Sequence, residues 1–383
     1  MTVASSRQIH PLAHYRDEFP IFGRQIYLNS CSLGALSRRS RRWVERYLDE
    51  WEARGASAWY DTWMDRLGAL REGYAAVIGA SGREIALHAS VSSATAVLAS
   101  TLDYHRRPKV VTTELDFPTV VYQWLAKRPL GIDLVVVASP DGVTVPPEAI
   151  AAVVDDRTAL VATSHVYFTT GAVQDIAAVA DVAHARGALC FIDAYQSVGQ
   201  IPMDVQETGV DFLSAGGLKW LLGGPGITFL YAREDLLSTL QPTVTGWFAN
   251  ERQFGFDPRS LVLHDDARRL ELGTPALGAV HAQLGGLEVI REIGVPVIRQ
   301  VVSDLTTDLV ARATESGLRP RAADRAEDRS AIVMIPFNDP VAEVARLAAA
   351  GIVADARPGH VRLSPFFYNL VDDHVAALEV LTR

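Results

Sequence analysis

The sequence predicts an α/β protein: a mainly parallel sheet with helices on both faces, followed by a smaller α+β C-terminal domain. Two observations carry this. Between about residues 85 and 233, uninterrupted apolar runs alternate with helical stretches, the pattern of strands buried on both faces. After about residue 246 the pattern changes, and the remaining chain is mostly helical with isolated strand candidates.

Taken in order, residues 36–79 place Trp43, Tyr47 and Trp51 at three-to-four spacing, which predicts helix. KVVTTEL (109–115), DLVVVAS (133–139), TALVATSHV (158–166), GALCFID (187–193), VDFLSAG (210–216) and GITFLYA (226–232) predict strands. VQDIAAVADVAHARG (173–187) predicts a helix with a glycine suited to its C-cap. SAIVMIPF (330–337) and HVRLS (360–364) predict strands of the smaller domain. The expected division is an N-terminal arm (1–25), a large domain (26–280) and a small domain (281–383). In parallel sheets, ligands bind beyond the carboxyl ends of the strands. That directs attention to Glu114 to Phe117, His165, Asp193 and Lys219.

The chain has 383 residues, 49% hydrophobic and 21% charged, enough for a large core. No apolar run approaches the ~20 residues of a membrane span, and the N-terminus lacks the apolar core of a signal peptide. No membrane association is expected. A net charge of −9 argues against general nucleic-acid binding. Two cysteines, Cys31 and Cys190, indicate no disulfide framework, so a reducing cytoplasm is expected. No metal site is expected.

DFLSAGGLKWLLGGPGITFLY (211–231) holds one lysine, Lys219, among glycines and apolar residues. A lysine in an apolar pocket has its charged form disfavoured, so its pKa falls and the amine becomes nucleophilic. A Schiff base with an aldehyde cofactor requires that. Asp193 ends a buried strand 26 residues earlier, where it could hold a pyridine nitrogen protonated. Taken singly, the aspartate also reads as a helix cap and the lysine as cover for apolar surface. Together, in this order, they favour the cofactor.

These residues and the block FIDAYQSVGQIPMDVQETGVDFLSAGGLKWLLGGPGITFLY (191–231) resemble the pyridoxal-phosphate enzymes of the class V aminotransferase family. That fold type I group includes kynureninases, cysteine desulfurases and isopenicillin N epimerases. The resemblance runs from IYLNSCSLGAL (26–36) to VRLSPFFYN (361–369). It implies the transferase fold with a seven-stranded-type sheet, and pyridoxal 5'-phosphate bound through Lys219. Asp193 would partner the pyridine nitrogen and Gln196 the phenolic oxygen. Ser92, Ser93 and the Ala94 backbone would receive the phosphate at a helix N-terminus, where a plain serine N-cap is the structural alternative. Phe117 would stack on the ring or serve as core, and His165 would lie near the site or be structural. Thr274 would cross a dimer interface to the partner's phosphate, which implies a homodimer with shared active sites. Arg362 would bind the α-carboxylate of an amino-acid substrate, with Arg357 a second candidate. Asn29 and Ser30 would border the substrate.

The chain also departs from its resemblance. Leu218 and Gly216 stand where many relatives place His and Ser as phosphate ligands, so Trp247 or Tyr195 is expected to help grip the phosphate. No cysteine follows Cys190, which argues against the desulfurase mechanism. Gln196 and Val120 replace residues typical of kynureninases. The expected chemistry is therefore lyase-type, cleaving the C–S bond of a cysteine S-conjugate. Aminotransfer is the alternative, then decarboxylation-coupled oxidative deamination, then epimerisation. A cofactor-bound regulatory protein without turnover is the reading from another class.

Overall fold

The computed structural model describes residues 10–383. Residues 1–9 of the expected N-terminal arm lie outside the described residues. The large sheet comprises β2 (Ile85–His88), β3 (Lys109–Thr113), β4 (Asp133–Val137), β5 (Thr158–Ser164), β6 (Leu189–Asp193), β7 (Phe212–Gly216) and β8 (Thr228–Ala232). Their spatial order is β2-β8-β7-β6-β5-β3-β4. All the pairings are parallel except those of β8, which runs against both β7 and β2. Strand β2 is an addition to the predicted set.

Alternation along the strands divides the interior into two cores. Val111, Val161, Ile192, Leu213 and Phe229 face one side, while Val110, Leu160, Phe191, Phe212 and Leu230 face the other. The first core is closed by helices Met64–Ile78, Ile176–His184 and Leu277–Ile293, the second by Val91–Ala99 and Pro118–Leu125. Every residue of β5, β7 and β8 is buried, as strands covered on both faces require.

The predicted helix over 36–79 is instead two helices, Arg38–Arg54 and Met64–Ile78. Gly55, at φ 52, ends the first, and a π-turn over Trp59–Trp63 leads into the second. The predicted 173–187 helix spans Ile176–His184. Gly187, at φ 65, donates to the His184 carbonyl, as a glycine closing a helix does.

The smaller sheet is antiparallel, with β9 (Val333–Pro336), β11 (Asp355–Arg357) and β12 (His360–Leu363) in the order β11-β12-β9. An N-terminal strand, β1 (Ile26–Tyr27), pairs with β10 (Ile352–Val353), and Asn29 bridges to Ser364. The segment after β1 therefore passes beside the small sheet before reaching the large one. Gly34 completes that crossing by donating its N–H to the Leu218 carbonyl at 2.8 Å.

Candidate active site

A cavity of about 320 Å³ lies where these segments meet at the carboxyl ends of the large-sheet strands. Asp193, the last residue of β6, and Lys219, three residues beyond β7, share it. Asp193 is buried, and its carboxylate accepts one hydrogen bond, from the Tyr195 N–H at 2.9 Å. Burial raises its pKa, against the Tyr195 amide and the charge of Lys219. The Lys219 Nζ has no hydrogen-bond partner among the described residues. It lies 4.9 Å from the Tyr195 ring centroid and 5.9 Å from that of Phe117. Burial lowers its pKa to about 8, although Asp193 pulls the other way.

The glycines around Lys219 permit close packing. A Cβ on Gly34 would overlap the Lys219 carbonyl oxygen, and one on Gly223 would overlap the Gln283 side chain of helix Leu277–Ile293. The loop turns back on itself through the Gly223 N–H, which donates to the Gly217 carbonyl at 2.7 Å. Lysine placement is thus set by contacts from two distant segments, the Gly34 backbone and the Gln283 side chain.

Arg362 and Arg357 also line the cavity. Arg362 is 1% exposed, and its guanidinium donates to Asp355 at 2.6 Å, Ser32 at 2.7 Å and the Phe168 carbonyl at 3.2 Å. Arg357 donates to Asp355 at 2.8 Å. Phe117 is 44% exposed, as a ring on an open cavity wall is, and meets Phe168 edge-on at 5.1 Å. Gln196 also lines the cavity. Its amide donates to the Cys31 carbonyl at 3.1 Å and accepts from the Trp220 indole at 3.0 Å.

Helix Val91–Ala99 brings its first turn to the cavity through Val91 and Ser92. Ser90 is the N-cap, and Ser93 reaches back to it in a capping box. The Ser93 N–H is held by the Ser90 hydroxyl and the Ala94 N–H by the Ser90 carbonyl. The amides left over in this turn are those of Val91 and Ser92. The expected Ser93 and Ala94 amides are thus engaged within the turn.

Five further candidates do not line this chain's cavity. His165 is buried away from the cavity, and burial lowers its pKa to about 4. Trp247 is likewise absent from the cavity: it stacks on Phe256 at 6.0 Å and donates to the Gln253 carbonyl. Ser30 is buried against the Tyr368 hydroxyl at 2.7 Å, and Asn29 is used in the bridge to Ser364. In that stretch Cys31 and Ser32 are the residues that line the cavity. Thr274 is exposed and away from this chain's cavity.

Sequence reasoning missed Ser32, Asp355 and Phe168, and gave Tyr195 only a phosphate role. A signal for Asp355 was present. Pro358-Gly359 is a two-residue turn signal, and such a turn sets Asp355 opposite Arg362.

The profile of the aminotransferase class-V family matches residues 42–370. The chain belongs to that family. An uncharacterised aminotransferase, YcbU, of Bacillus subtilis (strain 168) is 36% identical over 372 residues, covering 97% of each chain. The kynureninase of Geobacillus thermodenitrificans (strain NG80-2) is 33% identical over 78% of this chain and 72% of its own. Among solved structures, the cystine C-S lyase C-DES with its product cysteine persulfide aligns at a TM-score of 0.88. The two are 19% identical, over 95% of this chain and 99% of that one. A second C-DES structure carries glycine linked to its PLP cofactor (TM-score 0.89, 20% identity, 96% and 98% covered). This class-V enzyme shares their fold, that of the fold type I pyridoxal-phosphate enzymes. It is a pyridoxal-phosphate enzyme, and its cavity fits that group. A buried carboxylate with one donor, an unpaired amine of lowered pKa, an exposed aromatic face and two spare helix amides suit a ring nitrogen, an aldehyde, a pyridine face and a phosphate respectively. Among the described residues, no helix is long and apolar enough to cross a membrane, and no cluster could hold a metal ion.

Proposed function

We propose that this enzyme is a C–S lyase acting on a cysteine S-conjugate or a similar β-substituted amino acid. One arrangement carries the reading. A free amine and an arginine suited to an α-carboxylate face one cavity that Phe117, Phe168 and Val166 line with apolar surface. An apolar thiol leaving group suits that surface. Bound pyridoxal phosphate supplies an electron sink for the substrate α-carbon. The rest belongs to the chain. Lys219 anchors the cofactor and, when freed by substrate, is placed to take the α-proton at its Nζ. Asp193 holds the ring nitrogen protonated, Phe117 covers a ring face, and Gln196 offers its remaining amide hydrogen to the phenolic oxygen. Val91 and Ser92 receive the phosphate, helped by Thr274 from the second subunit of a homodimer. Arg362 binds the α-carboxylate, and the two free cysteines suit a cytoplasmic enzyme.

Aminotransfer is the second reading, favoured by the name of the 36%-identical relative. The visible spectrum before and after adding an S-alkyl cysteine separates the two. A shift with release of pyruvate and ammonia supports the lyase. Bleaching to a pyridoxamine-like spectrum without pyruvate replaces it with aminotransfer.

A further inference from the structure

Asp355 and Arg362 are direct cross-strand partners, and the register from 355↔362 to 357↔360 puts Arg357 on the same face. One Asp355 oxygen takes Arg362 Nη2 at 2.6 Å and the Ser32 hydroxyl at 2.6 Å; the other takes Arg357 Nη1 at 2.8 Å. Arg362 Nη2 also donates to Ser32 Oγ at 2.7 Å, so both of its hydrogens are engaged. Nη1 gives one hydrogen to the Phe168 carbonyl. Nε, buried, donates to nothing.

A carboxylate bound through two parallel hydrogen bonds uses either the Nε–Nη2 side of a guanidinium or its Nη1–Nη2 end. Both pairs include Nη2, the nitrogen that Asp355 and Ser32 fill. The unpaired Nε lies beside it, leaving the side-on fork with one donor taken and one orphaned. A buried orphan donor costs free energy until an acceptor reaches it.

We propose that Asp355 is an internal competitor at the substrate-carboxylate receptor: its carboxylate holds the Arg362 donor that a substrate α-carboxylate takes, so substrate binds by displacing it. Arg357 retains the displaced aspartate through the oxygen it already holds. The inference rests on the reading of Arg362 as the α-carboxylate receptor. Asp355 therefore weakens carboxylate binding alone, because a ligand without a carboxylate does not contend for Nη2.

Glycine, which has no β-leaving group, and glycinamide, which has no carboxylate, isolate the effect. Their dissociation constants are measured by calorimetry on the holoenzyme, and the glycinamide-to-glycine ratio reports the carboxylate's share of binding. In Asp355→Asn the ratio is expected to rise by about tenfold through tighter glycine binding, with glycinamide unchanged. Asp355→Glu, which keeps the charge, is expected to leave the ratio near wild type. If Asp355→Asn does not fold, Asp355→Ser carries the same comparison. A ratio that stays level or falls in the neutral variant overturns the proposal and makes Asp355 a positioning residue for Arg362. A wild-type ratio near one that Arg362→Lys leaves unmoved removes the Arg362 reading itself.

Discussion

At Lys219 burial and attraction oppose each other: burial lowers its pKa from 10.5 to about 8, while Asp193 raises it. In the cofactor-free protein, the unfolded chain binds more protons at this residue than the folded chain between those two values. Folding stability therefore rises as pH climbs from about 8 towards 10.5, and the cost of the buried ammonium is fully present below about 8. The fall from 10.5 to about 8 corresponds to about 3 kcal/mol. Urea denaturation of the apoprotein across this range should show the rise, and Lys219→Met should flatten it. An unchanged slope in the variant would show that the amine titrates normally. Asp116, also buried, illustrates a different use of charge. Its carboxylate takes the amides of Thr113 and Ser164 and both threonine hydroxyls of Thr113 and Thr163. It ties the ends of β3 and β5 together just before Phe117, so it acts on the site through the backbone.

Among the elements, the segment after β1 decides whether the site is assembled. Gly34 lies against the lysine loop with no room for a methyl group, its N–H bonded to Leu218 and its α-carbon facing the Lys219 carbonyl. Gly34→Ala is expected to cost about 1–3 kcal/mol, the usual penalty of overpacking, and to weaken cofactor binding as the lysine loop shifts. Denaturant midpoints and a pyridoxal-phosphate titration of the variant check both. A variant with wild-type stability and affinity would show that the loop accommodates the methyl freely. The helix at Val91 has its own logic. Its serines divide the work, Ser90 and Ser93 closing the cap and Ser92 facing the cavity. A run of three serines within four residues cannot reveal that division, because it depends on which hydroxyl rotates towards which amide.

For the whole molecule, the question is what covers the exposed aromatics. Tyr60, Trp247, Phe254 and Phe256 are all exposed and form one chain of ring contacts, Tyr60 to Phe254 and Trp247 to both phenylalanines. Contiguous exposed apolar surface of this kind marks an interaction site. Thr274 and Ser92 are exposed in the single chain as well. The proposed homodimer accounts for both features. Sedimentation should give twice the 41.6 kDa chain mass, and Trp247→Asp combined with Phe256→Asp should shift it towards monomer. A wild-type monomer with full cofactor occupancy would remove the shared-site reading.

The sequence by itself determined most of the sheet, its helical layers and the meeting of Lys219 and Asp193 beyond the strand ends. These are local signals: buried strands read as apolar runs, and a strand end or a glycine-bordered loop marks where a polar side chain can meet a ligand. It also marked Arg362 through its resemblance to a family. Only the tertiary structure decided which neighbours of these residues reach the cavity. His165 follows Ser164 by one position, and a strand alternates its faces, so one lines the cavity while the other turns away. Ser30 and Ser32 divide within a turn, one meeting Tyr368 and the other Arg362. The Asp355 contact required the hairpin register, and the placing of Lys219 required Gly34, 185 residues away in the chain. Such pairings are set by long-range packing, which leaves only a faint trace in residue order.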